Sequence, residues 1–513
     1  MELKGKILKS TYIKFAVVPV IFLLASFVYT LFNTATVPAV QFTPFNGFNP
    51  SESLSQPKAA TTIYANNNEV IGKIYGPEMK AYQYVSNPSA YAGDSILYHL
   101  ENIPPYSSNP DVLSLAMKAK NDFMQFLYNG GAITKSDITL ANQNTNTPYF
   151  SVLHTPYFTE YVIHKLYQNY QKYLLLGGLQ VYTTVDPALN TLAQQIVTSD
   201  FQQYDVPIGA DSAAMVADNP TNGYVLAMIG GPNNGAYLNM ADIPRQQGSA
   251  MKPLIYIKAF EMGYSPQTMI NDSPICYGNY CPTDYEGYTV GWVSIDRAIN
   301  QSINIPAIKM LARIGYQNGF NTLIKEGIQL DPKVYVGLPL VLGAAGIPLV
   351  RMVGAYNALD NGGYYAQSTP FIKIVYNNQT ILNNTNPPKN RILDANAVAE
   401  MDAVLGDTVL KQPLYGSNTY YYSVQGRPYG SKDGTSNGPR DITDYMFIPQ
   451  LSVGVWAGNI NDSLMSQNAV GAFQTGPMAH QLIMDYIQNN NLPIVNFQTP
   501  TYPTLNSTTA QIP

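Results

Sequence analysis

Between Thr62 and Tyr75 the chain reads T-I-Y-A-N-N-N-E-V-I-G-K-I-Y, two short alternating runs around an Asn-rich turn, which predicts a pair of strands. Pro110–Asn129 places Met117, Phe123, Met124 and Leu127 at helical spacing ahead of Gly130 and Gly131. Gly178–Val185 alternates as a strand does. Asp186-Pro187 then opens a helix with Leu189, Leu192, Ile196 and Val197 turned inward. Ala213–Ala217 and Tyr224–Ile229 predict a hairpin about Asn219–Gly223. Apolar spacing predicts helices over Ser302–Ile314 and Leu349–Leu359, and Gln450–Gly458 reads as a strand paired with one around Ser431–Thr435. Antiparallel hairpins interleaved with helices give an α/β fold, an antiparallel sheet flanked by helices. The tail Thr499–Pro513 reads as unstructured.

One helix start carries candidate chemistry. In R-Q-Q-G-S-A-M-K-P-L, Arg245–Leu254, Pro253 fits a helix only in its first turn, so the helix begins near Ser249. Leu254, Ile255, Ile257, Ala259 and Phe260 supply its buried side and Gly263 its stop. Ser249 and Lys252 then lie on one face, one turn apart. The same S-x-x-K spacing recurs in the linker-like Ser55-Gln-Pro-Lys58, so spacing alone does not make a nucleophile.

Composition narrows the setting. Of 513 residues 12% are charged, against a usual share of about 25%. That shortage suits an unusual medium outside the cell, such as an acidic one, and tyrosine, at 40 residues, is conspicuously high. Net charge is −5 with no basic tract, so nucleic acid is not an expected partner. Phe15 to Phe32 is uncharged and long enough to span a bilayer. Lys4, Lys6, Lys9 and Lys14 precede it and no Lys or Arg follows until Lys58, which places the N-terminus in the cytoplasm and the rest outside. A cleaved signal peptide is the rival reading, with Ala35 and Val37 able to accommodate a cut, but such apolar cores usually run only about 7–15 residues. The expected organisation is a cytoplasmic tail and anchor over 1–32, then a Pro-, Ser-, Thr- and Asn-rich linker over 33–61. Outside the membrane, Cys276 and Cys281 are expected to close a small disulfide loop; two thiols with no nearby histidine do not make a zinc site, and no metal or cofactor is expected.

A serine nucleophile here has no obvious histidine base. His99, His154, His164 and His480 lie in no recognisable catalytic setting, and no G-x-S-x-G turn is present. Lysine can serve if it is neutral, which burial and a second nearby cation both favour. Ser302-Ile-Asn304 supplies a hydroxyl and an amide, and G-S-K-D-G-T-S-N-G supplies Lys432 and, two positions on along a strand face, Gly434. A glycine there would let a substrate backbone approach closely.

The S-x-x-K, S-x-N and K-x-G set resembles the signature of penicillin-binding proteins and serine β-lactamases. Flanking segments narrow the resemblance to the transpeptidase domain of class A penicillin-binding proteins: Gly177–Asn190, Val225–Gly231, the R-Q-Q-G-S-A-M-K-P stretch, Leu340–Leu349, Ala355–Gly363 and Val453–Asn459. The resembling region covers about 155–490. It implies a β-lactamase/transpeptidase-like fold and a membrane-anchored D,D-transpeptidase that cross-links peptidoglycan stem peptides and is inhibited by β-lactams. Ser249 would be the nucleophile and Lys252 its base. Asn304 would hold Lys252 and the substrate amide, Ser302 would relay a proton, and Lys432, Thr435 and Ser436 would hold the substrate carboxylate. The backbone N–H groups of Ser249 and Thr435 would form the oxyanion hole.

Two departures stand out. Asp433 replaces the family's Thr or Ser; by strand alternation it should face away from the pocket, although a carboxylate beside Lys432 could weaken substrate binding. The glycosyltransferase domain usual after the anchor is also expected to be absent: no E-D-x-x-F-x-x-H motif is visible, Glu78 and Glu101 read as surface acids, and Ser108–Lys135 resembles the stretch that follows that domain. The segment 62–150 is therefore expected to be a small remnant region, with glycan polymerisation left to a separate partner. A catalytically impaired β-lactam sensor or scaffold, a D,D-carboxypeptidase and a β-lactamase are the alternatives.

Overall fold

The computed structural model describes residues 60–74, 155–232, 238–285, 287–330, 336–416, 423–424, 426–501 and 511–513. The anchor Phe15–Phe32, the linker up to residue 59, the helix expected at Pro110–Asn129, Glu78, Glu101, His99 and His154 lie outside the described residues, and Thr61, at the linker's end, already belongs to a strand. Among the described residues no helix is long and apolar enough to cross a membrane.

The central sheet has five strands: β1 (Ser212–Asn219), β2 (Tyr224–Ile229), β3 (Gly430–Thr435), β4 (Asp441–Ile448) and β5 (Leu451–Gly458). Their spatial order is β3-β4-β5-β1-β2, antiparallel throughout. The expected partnership of β5 with the Ser431–Thr435 strand is corrected here, because β4 lies between them. Two aspartates in D-I-T-D-Y-M-F-I mask β4, since aspartate is depleted in strands.

Strand alternation divides the core in two. Ala213, Met215, Ala217, Ile442, Met446 and Val455 point to one face, where α1 (Pro187–Asp200) and the long helix Gly471–Asn490 cover them. Ala214, Val216, Tyr445, Phe447 and Trp456 point to the other. That face packs under α2 (Met251–Glu261), α3 (Asn304–Ile314) and α4 (Leu349–Asp360). The sheet is therefore apolar on both sides, and α2 is buried nearly all round, Tyr256 included.

A second five-stranded sheet runs in the order Gln379–Asn383, Phe371–Tyr376, Gln180–Thr183, Thr61–Tyr64, Val70–Ile74. The expected strand pair at 62–75 is thus present, but it is not part of a separate small region: it pairs with Gln180–Thr183. An isolated hairpin cannot bury a face by itself, and this one buries Ile63, Ile71 and Ile74 by joining a larger sheet. The tail is likewise not wholly unstructured, since Gln511–Ile512 pairs in parallel with Met269–Ile270.

Candidate active site

The turn before α2 is held from several sides. Residues 244–246 pair with 346–348, and Arg245 Nε donates to Asp441 Oδ1 at 2.6 Å, an oxygen that also accepts from Trp456 Nε1 at 2.9 Å. Gln247 donates to the carbonyl oxygens of Arg245 and Ile347, and its Oε1 accepts from Tyr445 at 2.5 Å. Tyr356 donates to the carbonyl of Ala250 at 2.7 Å. Ser249 lies in this turn, half-buried, in the 3₁₀ segment Gly248–Ala250 that runs into α2. No role for Gln247, Tyr356 or Tyr445 was legible in the sequence, because each acts through a partner about 100 or more positions away.

Two glycines let the turn meet the sheet. Gly248 has φ +55°, and a β-carbon on it would lie 2.5 Å from the Thr435 carbonyl oxygen. On Gly434 a β-carbon would lie 2.1 Å from the Gln247 carbonyl oxygen and 2.6 Å from Thr443 Oγ1. The expected reason for Gly434 is thereby corrected: the backbone that approaches it is the protein's own turn, not the substrate's.

Lys252 is fully buried one turn after Ser249. Its amine donates to the Ser302 carbonyl at 2.6 Å and to Asn304 Oδ1 at 2.8 Å. Burial pushes its pKa well below the ordinary lysine range, and the charge of Lys432 pushes it further, against the weaker pull of Asp284 and Asp433. Ser302 precedes α3 rather than lying in it, as the sequence had implied. It has φ +56°, a backbone state that serine rarely adopts. One residue thereby serves both lysines, its carbonyl facing Lys252 and its hydroxyl accepting from Lys432 at 3.0 Å.

Asn304 is held by the loop that leads to it. Its backbone N–H and that of Ile305 donate to Asp284 Oδ1 at 2.7 and 3.0 Å, and its side-chain Nδ2 donates to the Thr283 carbonyl at 3.0 Å. With Nδ2 so engaged, Oδ1 is the atom left to face Lys252. The Cys276–Cys281 disulfide closes the same loop just upstream of Thr283.

β3 is the edge strand of its sheet, so Lys432 and Asp433 meet around the rim even though neighbouring residues start on opposite faces. Lys432 Nζ donates to Asp433 Oδ1 at 2.8 Å, and Tyr415 donates to that oxygen at 2.5 Å. The expectation that Asp433 faces away is corrected. Burial opposes its ionisation, but the Lys432 charge and the hydrogen bonds from Lys432 and Tyr415 outweigh this and hold its carboxyl below the usual range. Behind the strand Lys411, buried, donates to Ser431 Oγ at 2.6 Å, and burial pushes its pKa down to about 7.

The end of β3 is divided. Ser436 donates its N–H to the Asp441 carbonyl, so in an antiparallel ladder Thr435 presents its N–H and C=O to the open edge, beside Gly248. Ser436 itself is buried, and its hydroxyl accepts from the N–H groups of Arg440 and Asp441 at 3.2 and 3.0 Å. It also closes the turn that follows β3.

Ser249, Lys252, Ser302, Asn304, Lys432 and Thr435 thus converge where α2, α3 and the edge of β3 meet. Residues 213–441, which include all of them, match the family described as penicillin binding protein transpeptidase domain. The chain is 30% identical over 295 residues to penicillin-binding protein 4 of Bacillus subtilis, covering 56% of this chain and 45% of that protein. It is 26% identical over 317 residues to penicillin-binding protein 1A of Clostridium acetobutylicum, covering 56% and 38%. It therefore spans less than half the length of these relatives. In fold it is similar to penicillin-binding protein 1A of Haemophilus influenzae, with a TM-score of 0.62 at 16% identity, covering 86% of this chain and 94% of that one. PonA1 of Mycobacterium tuberculosis in complex with penicillin V gives a TM-score of 0.59 at 22% identity, covering 67% and 96%. Through residues 213–441 the chain matches the transpeptidase-domain family of the penicillin-binding proteins.

Proposed function

We propose that this protein is a serine D,D-transpeptidase that cross-links peptidoglycan stem peptides from outside the cytoplasmic membrane, anchored through Phe15 to Phe32 and supplied with glycan strands by a separate polymerase. One observation carries the proposal: the two acceptors around Lys252. A neutral amine has two N–H groups and one lone pair. Ser302 O and Asn304 Oδ1 take the two N–H groups, so the lone pair is left for the hydroxyl of Ser249, one turn back on the same face.

The steps follow from that arrangement. Lys252 takes the proton from Ser249 Oγ as the oxygen bonds to the carbonyl carbon between the two terminal D-alanines. The backbone N–H groups of Ser249 and Thr435 receive the developing oxyanion. The proton passes through the Ser302 hydroxyl to the leaving nitrogen, the C–N bond breaks, and D-alanine departs. An amine of a neighbouring stem then attacks the acyl-enzyme and restores Ser249. With water as acceptor the same steps give a D,D-carboxypeptidase.

A second reading, an impaired β-lactam sensor or scaffold, draws on the commitment of Lys432 to Asp433. Incubation with a fluorescent penicillin, beside Ser249→Ala, separates the readings. A stable label lost in the variant is the expected result. No label on either protein would leave the scaffold, and rapid turnover of the label would mean a β-lactamase.

A further inference from the structure

The lysine expected to attract the donor's carboxylate has no donor left to offer. A lysine ammonium carries three N–H groups. Those of Lys432 go to Ser302 Oγ at 3.0 Å, the Asp433 carbonyl at 3.0 Å and Asp433 Oδ1 at 2.8 Å, and the side chain is 1% exposed. Tyr415, from the helix Thr408–Tyr415, braces the carboxylate from the far side at 2.5 Å. The surrounding charges do not restore a positive field. Asp444 stands directly opposite Asp433 in the strand register and is buried, and Lys411 behind the strand is spent on Leu405 O, Ser431 O and Ser431 Oγ. A group entering the cleft therefore meets an ion pair rather than a cation.

We infer that Asp433 sets the donor specificity of the cleft: by neutralising Lys432 it lets acyl donors with an uncharged terminal group react about as readily as donors ending in a carboxylate. Asp433 is a positioning residue that acts through Lys432 and touches no reacting atom. The inference rests on the acylation of Ser249 proposed above.

The test compares second-order acylation rates of the full chain by benzylpenicillin and by its methyl ester, with Ser249→Ala as the blank. The native protein is expected to favour the acid by less than about tenfold, and Asp433→Asn and Asp433→Thr to raise that preference at least about tenfold over native. The intrinsic difference between acid and ester cancels in the comparison between proteins. A structural role alone would slow both compounds together and leave the ratio unmoved. A native preference above about tenfold, or an unchanged ratio in the folded variants, overturns the inference while leaving the nucleophile intact. Should both variants fail to fold, the native ratio decides. If neither compound acylates the native protein, the acyl-enzyme reading falls and takes this one with it.

Discussion

The amine of Lys252 lies 2.6 Å from the carbonyl oxygen of Ser302, and Ser302 turns its own hydroxyl toward Lys432 at 3.0 Å. A residue in the left-handed region of backbone space thus joins the candidate base, whose pKa burial pushes down, to the cation that pushes it down further. The strain at Ser302 places two acceptors, one main-chain and one side-chain, on opposite lysines.

If a neutral amine at position 252 is what matters, a side chain that cannot lose its proton will not replace it. Lys252→Arg should lower acylation by about 10²–10⁴-fold, the usual contribution of a general base. For the native protein, acylation should rise with pH toward a plateau whose midpoint falls well below the ordinary lysine value, because burial and Lys432 both disfavour the charged amine. Stopped-flow labelling across pH measures both, and a native midpoint near 10 would contradict the assignment.

Gly434→Ala tests the contact between the nucleophile turn and the sheet. Its β-carbon would sit 2.1 Å from a main-chain oxygen, so the turn must shift. Overpacking of this kind costs about 1–3 kcal/mol, and a turn displaced from β3 separates Ser249 from Thr435. The expected outcome is a lowered melting temperature together with acylation reduced beyond the loss of folded protein.

Asp284 accepts from two main-chain N–H groups at the start of α3 and so fixes Asn304. Asp284→Ala should cost about 1 kcal/mol, as removal of a helix cap does. It should also slow acylation, since Asn304 then loses its fixed direction toward Lys252. Thermal melts and labelling rates read the two effects separately; a variant that melts lower yet labels at the native rate would show that Asp284 only stabilises the helix.

Among the described residues several buried carboxyl groups have no cation at salt-bridge distance. Asp218, which accepts from Ser368 and Asn357, is pushed by burial up to about 7, and burial raises Asp360, Asp402 and Glu326 well above the usual range. For an acid with a raised folded-state pKa, the folded chain binds protons that the unfolded chain has released. Its stabilising effect is complete below about pH 4 and is lost as pH rises toward about 7. Lys411, lowered to about 7, acts in the opposite direction above that pH. Denaturant titrations at pH 4.5, 6 and 7.5 should therefore show stability falling with pH. A flat or rising profile would mean these groups are not protonated in the fold.

Much of this protein is written locally. Proline at 253 fixed where α2 could begin, Asp186 and Pro187 opened α1, and the turn over Asn219–Gly223 set off β1 and β2, because propensity and turn chemistry act within a few residues. The chemical types at positions 249, 252, 302, 304 and 432 were equally legible from their letters. What the letters could not convey was pairing at long range. β4 was missed because its aspartates make sense only once Arg245 and Trp456 reach Asp441. Gly434 went to the chain's own backbone and Asp433 around a sheet edge to Lys432, each because a partner distant in sequence arrived there in space. Residue types set what chemistry is possible; close packing of remote segments decides which atoms remain free to perform it.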